Sequence, residues 1–267
     1  MTSPEVPVAP ARGLARLIVA KPFEVPAVLG GFLLFFLLFT SYFMLRPVRE
    51  TFGIAGGVDN LQWLFTGTFV ATLVVVPLYG WASSRLPRRR LLPILYVASA
   101  AVMASFATSL AVDPDNIWIA RAFYIWLSVF NLFVISVAWS LMADLFERDQ
   151  GHRLFGQIAA GASLGGLAGP LISAFLVAPL GEAGLLFLST GILLLTLLCV
   201  RSLIRWRDRV GPKADEGPQS PAPDQIGGSI WAGLTLTMRS PFLLAIAGFV
   251  VLLATASTFL YFEQARI

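Results

Sequence analysis

Charge is what this chain has least of: 13% of its 267 residues are Asp, Glu, Lys or Arg, where a soluble domain carries about a quarter. So few charges cannot coat a water-facing surface of this size, which excludes a soluble globular protein. With 57% hydrophobic content, disorder and collagen-like repeats are excluded too. The one cysteine, Cys199, has no partner within the chain, so a disulfide scaffold is excluded. The one histidine, His152, joined by that one cysteine, cannot supply the three or four ligands of a zinc site, and neither a metal nor a cofactor is expected. The only lysines, Lys21 and Lys213, lie outside the apolar runs. A seven-helix retinal protein, which needs a lysine in its last helix, is therefore excluded.

What the chain does have is long apolar runs. Stretches of bilayer length, about 20 residues, fall at Ala27–Arg46, Leu61–Ala82, Leu91–Val112, Ile117–Met142, Leu154–Val177, Ala183–Val200 and Phe242–Phe262. A chain crossing lipid must satisfy its backbone within helices or a closed barrel, and barrel strands alternate over about ten residues. These runs are continuous, so they predict an all-α polytopic membrane bundle. The first run is too long for a signal-peptide core and no A-x-A-like site follows it, so it is read as uncleaved.

Orientation follows from the basic residues. With the N-terminus inside, fifteen Lys and Arg fall on the cytoplasmic side and four, Arg46, Arg49, Arg121 and Arg266, on the other. That asymmetry predicts a cytoplasmic N-terminus in a cell (inner) membrane. The net charge of +4 is thus a matter of topology, and no nucleic-acid partner is implied. Residues 201–241 include the run Gly211-Pro212-Lys213 to Ser220-Pro221-Ala222-Pro223, a linker composition, and Ile230 to Met238 has the character of an interfacial segment. The expected organisation is a cytoplasmic segment 1–26, a six-helix bundle 27–200, a cytoplasmic linker 201–241 and a further helix 242–267. Asp59-Asn60-Leu61-Gln62 reads as a helix N-cap after Gly56-Gly57.

Ionisable groups at bilayer depth are costly and mark solute pathways. Arg46, Arg49 and Glu50 stand at i, i+3 and i+4 after the first run, hence on one helix face. Two guanidiniums on one face suit an anion, phosphate above all, because the planar fork binds it bidentately. The alternative is snorkelling at the interface with Glu50 as counter-ion. Asp144, Glu147, Asp149 and Arg153 read as a mixed-charge turn, solvated or paired with the Arg85–Arg90 cluster. The string Gly161-Ala162-Ser163-Leu164-Gly165 spells a nucleophile elbow, but it lies within a helix without a nearby histidine base. No catalytic residue and no enzyme activity is expected.

Six helices and a linker match the first half of a major facilitator superfamily transporter, and short motifs carry the resemblance. Gly80-Trp81-Ala82-Ser83-Ser84-Arg85-Leu86-Pro87-Arg88-Arg89-Arg90 resembles the superfamily's G-x-x-x-D-R-x-G-R-R loop, with Ser84 for its Asp and Pro87 for its Gly. Gly161 to Ala174, with Gly165, Gly169 and Pro170, resembles the antiporter pattern G-x-x-x-G-P-x-x-G-G; Ser173 and Ala174 replace the last glycines. Small residues four apart let helices approach closely, and Pro170 predicts a kink. The resemblance implies conformational roles for Gly80, Arg85, Arg88, Arg89, Gly165, Gly169 and Pro170. Arg121 matches the arginine of a further superfamily motif without its Gln-Gly, and counts as a substrate-contact candidate or an interfacial anchor.

Within the superfamily, Leu45-Arg46-Pro47-Val48-Arg49-Glu50, the turn Gly56 to Leu61, and Ala143-Asp144 through Gly156 resemble bacterial nucleotide-exchange carriers of the ATP/ADP translocase kind. The resemblance implies a nucleotide-transport role for the second basic residue, Arg49. Expected, then, is exchange of nucleotides or another organic anion by alternating access. Arg46 and Arg49 would contact the anion and Glu50 would tune them. The alternatives are a proton-coupled exporter of another small solute and a non-transporting scaffold or receptor. Since the fold builds its site between two bundles, the chain is expected to be a fragment or truncated product of about 400 residues or more.

Overall fold

Continuous apolar sequence forms helix because the helix satisfies every backbone group within its own segment. The computed structural model describes residues 20–55, 61–85, 88–210 and 237–266, and no strand occurs among them. Helix α1 is Val25–Ala55, α2 Leu61–Arg85, α3 Arg88–Val112 and α4 Ile117–Leu145. The long stretch Arg148–Val210 is broken at Gly181, with φ 66° and ψ 179°, into α5 (148–180) and α6 (182–210). Pro241–Arg266 is α7. Only a glycine takes that left-handed φ without strain. At Pro170, where a kink is expected, the backbone keeps helical dihedrals and departs from them only at Gly181.

All seven predicted spans are present, with longer ends. α1 is predicted to Arg46 and runs to Ala55 through Pro47. Its 31 residues measure about 46 Å against about 30 Å of hydrocarbon, so Arg46, Arg49 and Glu50 sit in its last third, toward one membrane face. α6 runs on to Val210 through Arg201, Arg205, Arg207 and Arg209. The first ten residues assigned to the linker are therefore helical, while 211–236 lie outside the described residues. So do the predicted N-cap Asp59-Asn60, Gly56-Gly57, and Leu86-Pro87. α4 starts on Asn116, whose Oδ1 accepts the amides of Trp118 (3.0 Å) and Ile119 (3.3 Å). α7 starts on Ser240 ahead of Pro241, with the Leu243 amide 3.4 Å from Ser240 Oγ, the favoured order of cap and first-turn proline.

The chain forms two units, Met1–Leu45 with Ile135–Asp215 and Arg46–Val134 with Glu216–Ile267. In the first, α5 lies against the backbone of α1. A Cβ at Gly161 would meet the Phe32 carbonyl, one at Gly165 the Phe36 carbonyl, and one at Gly169 would stand 2.7 Å from the Met44 nitrogen. The four-residue glycine spacing is what permits this approach. α6 is tied to α1 by a reciprocal pair: Ser41 Oγ and Ser189 Oγ are 2.8 Å apart, and Ser189 Oγ donates to the Ser41 carbonyl at 2.9 Å. In the second unit, Gly53 lets α1 close on Tyr124 of α4. Phe52, Phe106 and Trp126 surround the buried Phe123 at 5.6–6.4 Å between ring centres.

Candidate substrate site

Pro47 lacks an N–H yet the helix continues through it, so Arg46, Arg49 and Glu50 do share a helical face as their spacing predicts. They are not equivalent. The Arg49 side chain is 14% exposed and that of Arg46 53%. Arg49 is held on three sides. Its Nη2 pairs with Glu50 Oε1, its Nη1 donates to Ser128 Oγ at 3.1 Å, and its guanidinium stands 5.0 Å from the Tyr124 ring centre. Ser128 is itself aimed by donating to the Tyr124 carbonyl at 2.9 Å. Glu50 also stands 4.0 Å from Arg46 Nε, so one carboxylate lies beside both guanidiniums.

Both arginines line a cavity of about 360 Å³ within the second unit. α2 contributes Phe65 and Thr68, α4 contributes Tyr124 and Ser128, and α7 contributes Ser257 and Thr258. In sequence this last helix carries Thr255, Ser257, Thr258, Tyr261 and Glu263, a polar set that reads as a cavity lining, and two of them, Ser257 and Thr258, meet the two arginines in one cavity. Thr255, on the same helix, turns its hydroxyl back to the Val251 carbonyl. Four lining residues escape sequence reading: Phe65, Thr68, Tyr124 and Ser128. A signal exists for two, since Tyr124 and Ser128 are polar groups four apart in an otherwise apolar run.

Arg121 is not in this cavity. It lines a separate groove with Trp63, Leu64, Trp118, Ala122 and Ile125. Gly80 has open space where a Cβ would stand, and Arg85, exposed at the end of α2, lies 4.6 Å from the Trp81 ring centre. Arg88 and Arg89 open α3.

One member of the mixed-charge turn departs from its expectation. Arg153, expected in solvent or paired with the Arg85–Arg90 cluster, reaches Glu24 of α1's entry, with Nη2 at 2.9 Å from Oε1 and 3.1 Å from Oε2. Glu24 is buried and accepts further bonds from the Lys21 amide (2.8 Å) and Gln150 Nε2 (3.1 Å). Burial pushes its carboxyl up, but these bonds and the Arg153 charge outweigh burial and hold it below the ordinary value. Trp206 Nε1 donates to the Phe23 carbonyl at 2.9 Å and Arg207 donates to the Leu145 carbonyl, so charged and aromatic groups join the ends of α1, α4, α5 and α6 within the first unit. Removing either Glu24 (Glu24→Gln) or Arg153 (Arg153→Met) is expected to destabilise by about 2 kcal/mol, less than the roughly 3–5 kcal/mol of a fully buried pair because Arg153 keeps 32% exposure. The double variant should cost less than the sum of the two, as a thermal-unfolding cycle would read. A carboxyl held low stabilises above its unfolded pKa, about 4.3, and the contribution is lost as pH falls through the folded value.

The chain is 24% identical over 191 residues to a triacylglyceride transporter of Mycobacteroides abscessus, a match covering 71% of this chain and 35% of that protein. The chain therefore spans about a third of the length of that relative. No solved structure matches. The family model of the Major Facilitator Superfamily matches residues 19–265, nearly the whole chain, and with its bundle of apolar membrane-length helices the protein belongs to that superfamily of membrane transporters.

Proposed function

We propose that this multi-pass membrane protein takes part in exchange of organic anions, with a phosphorylated nucleotide as the preferred solute, by alternating access. The observation that carries the reading is Arg49, three-quarters or more enclosed yet aimed into a 360 Å³ cavity by Ser128, Glu50 and Tyr124. A fixed guanidinium loses little side-chain freedom on binding a phosphate. Arg46, half in the open, is the second anion contact, and Glu50 balances the pair when the cavity is empty. Phe65 and Tyr124 supply aromatic faces of the kind bases stack on, and the volume lies in the range of small-molecule sites. Gly80 with Arg85, Arg88 and Arg89, and Gly165 and Gly169 with Pro170, are the conformational elements. In this reading 27–200 is the N-terminal bundle of the transporter and 242–267 the first helix of the next, linked by a cytoplasmic 201–241. The N-terminus is cytoplasmic and the membrane the inner one. Labelling of a cysteine at Ser220 from outside intact cells would reverse that orientation.

A second reading, movement of an amphipathic lipid, is supported by the relative that bears the name triacylglyceride transporter. Reconstituted protein separates the two. Uptake of labelled ATP that requires ADP inside the vesicle supports nucleotide exchange. Transfer of a labelled glyceride with no nucleotide uptake supports the second reading, and solute efflux driven by a pH gradient alone would replace both with proton-coupled export.

A further inference from the structure

A second built site lies away from the Arg49 cavity and shares no lining residue with it. α2 and α4 run parallel and begin at the same end of the second unit, and between their first turns is a groove of about 380 Å³. Its walls are Trp63, Leu64, Trp118, Ala122 and Ile125, and its one charge is Arg121. Trp63 and Trp118 are 66% and 72% exposed, each in the first turn of an apolar helix of membrane length. That is the headgroup depth at which Trp concentrates. The Arg121 guanidinium stands 5.1 Å from the Trp118 ring centre, and among the described residues no carboxylate pairs with it. Gly67, one turn further along α2, lets Ile125 approach, since a Cβ there would stand 2.7 Å from Ile125 Cδ1. Below it, exposed Val70, Val74 and Leu132 continue the apolar face toward the bilayer centre.

We propose that this groove docks an anionic membrane phospholipid, its phosphate on Arg121 and Trp118 and one acyl chain along the seam of α2 and α4. The charge argument selects the occupant. A guanidinium without a carboxylate partner, at headgroup depth, is complementary to one phosphate whose charge its own headgroup leaves uncompensated. The apolar walls select the lipid over a water-soluble phosphate, since a free ion would leave Trp63, Leu64 and Ile125 uncovered. Arg121 is then an anchor to the bilayer, not a contact of the transported solute.

The test uses the full chain, purified in a neutral detergent and titrated while its Tm is followed. Phosphatidylglycerol is expected to raise Tm, and phosphatidylcholine or inorganic phosphate at the same concentration to leave it unchanged. Arg121→Gln removes a charge-assisted contact and Ala122→Trp fills the groove from an exposed position; each should weaken the phosphatidylglycerol response about tenfold. Wild-type titration curves in both variants would overturn the site, and a rise with inorganic phosphate alone would overturn the lipid. Should a variant fail to fold, native mass spectrometry of the wild-type chain with an equimolar lipid mixture decides: preferential retention of phosphatidylglycerol supports the proposal, and equal retention of phosphatidylcholine refutes it.

Discussion

Anion transport should fall to background in Arg49→Glu while the protein still inserts at wild-type yield. A unit charge about 4 Å from a phosphate is worth about 4 kcal/mol at an effective dielectric of about 20, and reversal turns attraction into repulsion of similar size. At a factor of ten per about 1.4 kcal/mol, the loss exceeds a thousandfold. The new carboxylate would also face Glu50, which now pairs with Arg49, so the charge beside the cavity shifts by two units toward negative. Arg49→Lys keeps the charge and loses the fork. One ammonium cannot reproduce the Ser128 bond, the Glu50 pair and the Tyr124 stack together; about a tenfold loss is expected. Ser128→Ala tests the aiming separately: it should weaken solute affinity several-fold with maximal rate nearly kept. The readout is initial uptake into proteoliposomes, normalised to inserted protein. Uptake at the wild-type rate by Arg49→Glu would sink the anion-contact role.

What could be read in advance divides along physical lines. The spans are legible because lipid imposes one uninterrupted apolar run per crossing. Helix ends are not, because hydropathy stops at the first arginine while the helix does not: Arg is a good helix former, and α1 and α6 continue to Ala55 and Val210. Arg49 is legible from its spacing to Arg46 and Glu50. Its partner Ser128 is hidden, since a serine in an apolar helix usually bonds its own turn, as this one also does to Tyr124. Glu24 is hidden for a simpler reason: Arg153 stands 129 positions away, and charges read as a local cluster are sorted by neighbours in sequence. Arg121 lines a groove apart from Arg49, and Trp118, three residues before it on one helix face, marks that groove.

One substitution made at two positions of α5 should have opposite signs. At Gly165 a Cβ meets the Phe36 carbonyl and stands 3.0 Å from both Phe39 Cβ and the Thr40 nitrogen, two backbone atoms and a Cβ fixed to the backbone of a helix, none of which can swing aside. Gly165→Ala must separate α1 from α5, and overpacking of this kind costs about 1–3 kcal/mol. Separation also loosens the contacts at Gly161 and Gly169, which meet Phe32 and Met44, so the upper end is expected. Gly165→Leu should leave no folded protein. At Gly156, on the same helix, nothing lies within 4 Å of the added atom. Gly156→Ala then gains only the helix preference of alanine over glycine, about 1 kcal/mol in favour. Tm of the two alanine variants in one detergent reads the difference directly, with helix and substitution held constant. Equal shifts in the same direction would mean that the approach of α5 to α1 is not what the glycines at 161, 165 and 169 provide.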